Sequence, residues 1–249
     1  MSDIVLSTEN LCKNYSGLRA NYNLNLQLRR GEIHALIGPN GAGKSTAVAQ
    51  LSGELPPTSG RILFEESDIT GLAVFERARA GVSRSFQVTS VFDEMSVLDN
   101  LALALQAHQN HSYRFWSPVS RDRDLNQQAI ELGARFGLEE HLRLNAGALG
   151  HGEKRQLEVG MTMAGNPQVL LLDEPMAGIG PGGSKVLTEM LDGLRGRYTI
   201  LLVEHDMDAV FALADRISVL VYGEIIASGS VDEIRDNAEV QRAYLGESG

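Results

Sequence analysis

The chain has 249 residues, 43% hydrophobic and 22% charged, enough for a sizeable core in one large or two small domains of a soluble globular protein. Its net charge of −10 argues against a general nucleic-acid binder, which would carry a basic face. The one cysteine, Cys12, permits no internal disulfide and suits a small buried hydrophobe in a reducing compartment.

Residues 4–30 read as strands, and Asn23 to Leu28 alternates so that Leu24, Leu26 and Leu28 share one face of a half-buried strand. Arg29-Arg30-Gly31-Glu32 reads as a turn, and Ile33–Ile37 is an apolar run short enough for a buried strand. A glycine-rich stretch follows, then a helix through Ala47–Leu51 ended by Gly53. Next come a strand at Gly60–Phe64, a polar turn around Asp68, a helix at Val74–Ala80 and a strand at Val82–Gln87. Ser96 with Asp99 resembles a capping box, and Leu98, Leu101, Ala102 and Leu105 form an amphipathic stripe.

Asn110–Ser120, with the only tryptophan (Trp116), reads as a loop or insertion. Helices are expected at Arg121–Phe136 and Gly152–Ala164, so residues 95–165 form a helical subdomain between strands of an α/β core. The remainder, 1–94 and 166–249, makes that core and its β subdomain. Two aliphatic strands end in polar groups, Val169–Asp173 and Tyr198–Val203. A helix at Met207–Arg216, a hairpin turning at Tyr222-Gly223 and two short helices complete the chain. No apolar run approaches about 18 residues, so no membrane span is expected. Met1-Ser2-Asp3 lacks the basic start and apolar stretch of a signal peptide.

Gly38-Pro39-Asn40-Gly41-Ala42-Gly43-Lys44-Ser45-Thr46 fits the phosphate-binding loop G-x-x-x-x-G-K-[ST], between a strand and a helix as that motif requires. Its glycines let successive N–H groups point at one anion, and the helix start adds its partial positive charge. Lys44 can reach the β- and γ-phosphates and Ser45 can ligate Mg²⁺. Asp173 suits the second shell of that ion, and Glu174 can polarise a water. Tyr15 can stack on a purine or simply pack in its sheet; Gln87 alone reads as a surface residue. His205 can contact a γ-phosphate or be an ordinary hydrogen-bonded histidine. At Leu149-Gly150-His151-Gly152-Glu153, glycine backbone can approach a ligand at a helix start.

Taken in order, these motifs resemble the nucleotide-binding subunit of an ABC transporter over nearly the whole chain. The resemblance implies an α/β P-loop NTPase core with an N-terminal antiparallel β subdomain and an inserted helical subdomain. It implies two such subunits, identical or different, paired head to tail with ATP between one P-loop and the other's signature loop at 149–153. Tyr15 would then stack on adenine, Glu174 serve as general base, Gln87 sense Mg²⁺ and His205 sense the γ-phosphate. Arg84-Ser85-Phe86-Gln87, the insertion after Leu105, Gly152–Glu158, Met176-Ala177-Gly178 and Ala243–Glu247 resemble the branched-chain amino acid uptake family, which also includes urea and amide importers.

That family implies ATP and Mg²⁺, two membrane permeases, an extracytoplasmic solute-binding protein and a peripheral place on the cytoplasmic face of the inner membrane, with no nucleic acid. Gly150 stands where the family's signature has serine, and Gly180 where the loop after Glu174 has aspartate. The surface around Phe86, Val88, Val91, Phe92 and Met95 is expected either to dock a permease helix or to be core. The rival readings, an ABC ATPase working on nucleic acid or ribosomes and another P-loop kinase or GTPase, lack a second ATPase unit and an Asn-Lys-x-Asp motif respectively.

Overall fold

The structure, a computed structural model, describes residues 3–85, 91–108 and 122–245. The chain opens with β1 (Ile4–Tyr15), β2 (Leu18–Leu24), β3 (Gln27–Arg29) and β4 (Ile33–Ile37). Helix α1 (Lys44–Ser52), β5 (Ser59–Phe64), β6 (Ser67–Asp68), α2 (Val74–Ala80) and β7 (Val82–Arg84) follow. Three helices come next, α3 (Val97–His108), α4 (Arg123–Arg135) and α5 (His151–Met163). Then β8 (Val169–Asp173), α6 (Pro181–Asp192), β9 (Thr199–Val203), α7 (Met207–Leu213), β10 (Arg216–Val221), β11 (Glu224–Gly229), α8 (Val231–Arg235) and α9 (Ala238–Leu245) complete it.

The unbroken aliphatic runs become the middle of a six-stranded sheet ordered β11-β10-β4-β9-β8-β7. Only such a sheet, covered on both faces, can bury every residue of a strand, as happens in β4, β8 and β9. All its pairings are parallel except that of β10 with β11. Register sets Leu36 beside Val203 and Val203 beside Asp173, so the loops leaving β4, β9 and β8 emerge together at one edge. A second, antiparallel sheet, β2-β1-β5-β6 with β3 also on β1, packs through Leu6, Leu11, Leu24, Leu28 and Ile62 onto the side where α1 lies.

Helices α3 to α5 lie in the chain between β7 and β8, which are neighbours in the sheet. They do not make a separate core. Leu101, Phe136 and Leu157 belong to the same apolar cluster as Leu170, Leu172 and Ile200 of the sheet.

The structure departs locally from the sequence pattern. The alternation at 23–28 keeps Leu24, Leu26 and Leu28 buried, but the strand is interrupted at Asn25 and Leu26, between β2 and β3, shortly after left-handed Asn23, φ 45°. The turn expected at Asp68 is made by Glu65 and Glu66, both with positive φ, and Asp68 pairs with Leu63. Helix α7 stops at Leu213, where Ala214 turns extended, and Arg216 already belongs to β10. In the Ser96–Asp99 cap, the shorter aspartate bonds the serine hydroxyl at 2.6 Å, while its own N–H donates to that hydroxyl at 3.0 Å. The 110–120 insertion lies outside the described residues.

Candidate functional site

The loop after β4 is shaped by close approach as well as by turning. A Cβ on Gly38 (φ 154°) would lie 2.0 Å from the Leu220 carbonyl oxygen of β10, and one on Gly43 (φ 103°) 2.2 Å from that of Ala20 in β2. Asn21 supports the loop from the same strand, its side-chain amide donating to the Gly43 carbonyl at 3.1 Å. The antiparallel sheet therefore presses on the phosphate loop, and any side chain at Gly43 would force the two apart.

Lys44 is buried and donates from Nζ to the carbonyls of Gly38 and Pro39, at 2.6 and 3.0 Å. Burial lowers its pKa below the usual lysine value, and the charges of Glu174 and Asp173 oppose the shift. Ser45 is exposed at the start of α1, and Thr46 is half-buried behind it.

Asp173, the last residue of β8, is fully buried. Burial raises its carboxyl above the usual range; Arg84 opposes this and Glu174 adds to it. One oxygen accepts from Arg84 Nη2 at 2.9 Å, while Oδ1 has no hydrogen-bond partner among the described residues. Glu174 is held in the left-handed region, φ 51°, where a glutamate rarely sits. Its N–H bonds the Val203 carbonyl at 2.8 Å, and Oε1 meets His205 Nε2 at 2.7 Å. Two strand ends thus bring a carboxylate and an imidazole into contact, both partly open to solvent.

Tyr15 ends β1 with 45% of its surface exposed and Lys13 Nζ 5.3 Å from its ring centroid, so its ring is not buried in the sheet. Gln87 lies outside the described residues, as do Phe86 and Val88. Val91 packs against the main core, Met95 is half-buried and Phe92 is 51% exposed, so this stretch divides between the two alternatives posed for it.

Leu149 is buried in the main core, and Gly150 caps α5. The Gly150 N–H donates to the Glu153 carboxylate at 2.5 Å. The first-turn donors of His151, Gly152 and Glu153 remain to the helix start. Gly152 faces Gly183 of α6 so closely that a Cβ on it would sit 3.5 Å from that residue's Cα. Gly180 caps α6 with no side-chain bond, followed by Pro181 at the first helical position.

Three residues without an assigned role in the sequence hold this site together. Arg155 of α5 donates to the carbonyls of Pro175, Glu174 and Asp173 and to Glu158, locking the signature helix onto the end of β8. Buried Glu204 accepts from the Met176 N–H at 2.6 Å and the His205 N–H at 2.9 Å, tying the loop after β8 to the histidine. Arg84 bridges Asp173 and Glu54. A buried charge must be paired, and Glu158 between Leu157 and Val159 and Glu204 directly after the aliphatic run to Val203 carried that signal, whereas Arg84, between two serines, did not.

A strand–glycine loop–helix unit at the carboxyl edge of a parallel sheet, with paired acids two strands away, defines a P-loop nucleotide-binding cassette. The family described as "ABC transporter" matches residues 22–177, and "Branched-chain amino acid ATP-binding cassette transporter" matches 224–249. The high-affinity branched-chain amino acid transport ATP-binding protein LivG of Escherichia coli is 41% identical over the full length of both chains. The lipopolysaccharide export system ATP-binding protein LptB of Escherichia coli is 36% identical over 97% of each. The crystal structure of the ADP conformation of an ATP-binding cassette of an ABC transporter superposes with TM-score 0.87 at 29% identity, covering 98% of this chain and 100% of that one. This chain belongs to the ATP-binding subunits of ABC transporters and, within them, to the branched-chain amino acid family.

Proposed function

We propose that this subunit hydrolyses ATP to drive import of branched-chain or related amino acids through two membrane permease subunits. The observation that carries the catalytic part is the 2.7 Å contact of Glu174 with His205, beside the phosphate loop. Glu174 takes the proton of the attacking water, and His205, on the neighbouring strand end, orients that carboxylate and the γ-phosphate. Residues 38–46 cradle the phosphates, Tyr15 presents an open ring face to adenine, and Gln87 reports on the metal.

The residues fit Mg²⁺ held by Ser45, with Asp173 behind it. A fully buried carboxylate with one unpartnered oxygen suits a hard cation and its waters. Among the described residues there is no cluster of three or more His, Cys, Asp and Glu able to hold a metal. The ion would neutralise charge developing on the phosphates.

A second ATPase subunit supplies the signature loop, residues 149–153 in this chain, across the nucleotide. Gly150 brings no hydroxyl there, and its N–H is turned to Glu153, so the clamp relies on the remaining donors of the α5 start. Exposed Phe92, three residues before half-buried Met95, is the proposed contact for a permease helix. No helix among the described residues is long and apolar enough to cross a membrane. On the likeness to transporter ATP-binding proteins, the subunit is assigned a peripheral place on the cytoplasmic face, with an extracytoplasmic solute-binding protein acting through the permeases.

The match of residues 224–249 supports the cargo class, because LptB shows that the cassette alone is shared with a different transport system. The test is uptake of labelled leucine, and of urea and short amides in parallel, by vesicles containing the assembled transporter. ATP-dependent leucine uptake is expected; uptake of urea or amides alone would overturn the cargo, and no ATP-dependent flux would overturn the reading as a whole.

A further inference from the structure

Arg84 is the last residue of β7, paired in register with Leu171 of β8, and its side chain is only 7% exposed. Its guanidinium divides between two acids on opposite sides. Nη2 donates to Asp173 Oδ2 at 2.9 Å, and Nη1 donates to Glu54 Oε2 at 2.6 Å. Asp173 is fully buried, whereas Glu54, just beyond α1, is 36% exposed. Both Arg84 and Glu54 line a cavity of about 200 Å³ whose other walls come from α2, α3 and α5.

The consequence concerns which oxygen of Asp173 is left for chemistry. A carboxylate with no bond on either oxygen can rotate about its last torsion, which is broad. Arg84 fixes Oδ2, so Oδ1, which has no partner among the described residues, is held in one orientation. Lys44 makes no bond to Asp173 here; two of its three Nζ donors go to the Gly38 and Pro39 carbonyls. A point charge would replace the fork only in part, since the two acids are reached by different nitrogens.

We infer that Arg84 is a positioning residue for hydrolysis, a clamp anchored outside on Glu54 that holds Asp173 with one oxygen turned to the metal. This rests on the assignment of Asp173 to Mg²⁺-dependent ATP hydrolysis. It extends that assignment to a side chain that touches neither nucleotide nor reacting atoms.

The experiment compares Arg84→Met, Arg84→Lys and Glu54→Gln with the parent in the assembled transporter. Three quantities are read: kcat, ATP affinity with the metal chelated, and the gain in ATP affinity on adding Mg²⁺. Arg84→Met is expected to lower kcat about 10- to 100-fold and to shrink the Mg²⁺-dependent gain by a similar factor, the usual cost of losing the partner that orients a ligand. Metal-free ATP affinity should stay within about threefold, because the phosphate loop keeps its own contacts.

Arg84→Lys should recover part of both losses, and Glu54→Gln should show a smaller loss of both. A merely structural role would lower the folded fraction and leave the Mg²⁺-dependent gain unchanged. Should Arg84→Met fail to fold, Arg84→Lys and Glu54→Gln carry the same comparison. Parental kcat and parental Mg²⁺ gain in the folded variants overturn the proposal. If instead Asp173→Asn keeps full activity and full Mg²⁺ gain, it is the underlying assignment that fails.

Discussion

Glu174→Gln removes the proposed base while disturbing little else. The side chain keeps its length, and its amide can still bond His205 Nε2 across the present 2.7 Å. The backbone bonds to Val203 and from Arg155 involve main-chain atoms and survive, as does the left-handed φ of 51°. Being partly exposed, the site should change in stability by no more than about 0.5 kcal/mol, or about 1–2 °C for a chain of this size. ATP affinity should stay within about threefold, roughly 0.7 kcal/mol, because residues 38–46 make the cradle. Turnover should fall by about 10²–10⁴, which raises the barrier by roughly 2.7–5.4 kcal/mol. Steady-state phosphate release, titration with a fluorescent ATP analogue and thermal unfolding separate the three effects. Turnover within about threefold of the parent at saturating ATP would refute the assignment of Glu174. A loss of affinity matching the loss of turnover would show that binding, rather than chemistry, had been removed.

Three further expectations follow from the packing and charges. Asp173→Asn should raise the unfolding midpoint of the nucleotide-free protein near pH 7 while abolishing hydrolysis. The folded protein raises this carboxyl's pKa, so stability present below the unfolded value of about 3.9 is lost as pH rises through the folded pKa, and the ionised group is a standing cost at neutrality. The difference between the proteins should shrink towards pH 4, and a lower midpoint for the variant at pH 7 would contradict this. Gly150→Ser should stabilise the subunit by a few tenths of a kcal/mol, seen as a rise of no more than about 1 °C, because its hydroxyl can accept the Glu153 N–H at the start of α5. The new Cβ lies 3.0 Å from the free end of the Glu153 side chain, which can move aside; a fall of several degrees would mean that it cannot. Leu101→Ala, in the inserted helices, should cost about 2–5 kcal/mol and lower the midpoint of a single transition, because Leu101 shares its cluster with Leu170 and Leu172. Two separate transitions, with only one displaced, would mean that the helices fold independently of the sheet.

What the sequence determined by itself was whatever depends on short-range pattern. The aliphatic runs at 33–37, 169–173 and 199–203 could be satisfied only by buried parallel strands, and the G-x-x-x-x-G-K-S spacing only by a loop between strand and helix. The hairpin at Tyr222-Gly223 was legible for the same reason, since left-handed turn chemistry is local. The break at Asn25-Leu26 was not, because the alternation of Leu24, Leu26 and Leu28 holds whether one strand or two carries it. The tertiary structure decided which distant groups meet. Gly43 must be glycine for its φ of 103°, and also because β2 lies against it, a contact that no local rule contains. Arg84 reaches Asp173, Arg155 reaches the carbonyls of Asp173, Glu174 and Pro175, and Glu204 joins Met176 to His205, across gaps of 89, 18 to 20, and 28 residues. Such bonds are forced by the rule that a buried charge finds a partner, but the rule does not say which one. The choice belongs to the strand order, because β7, β8 and β9 lie side by side only once the sheet has formed.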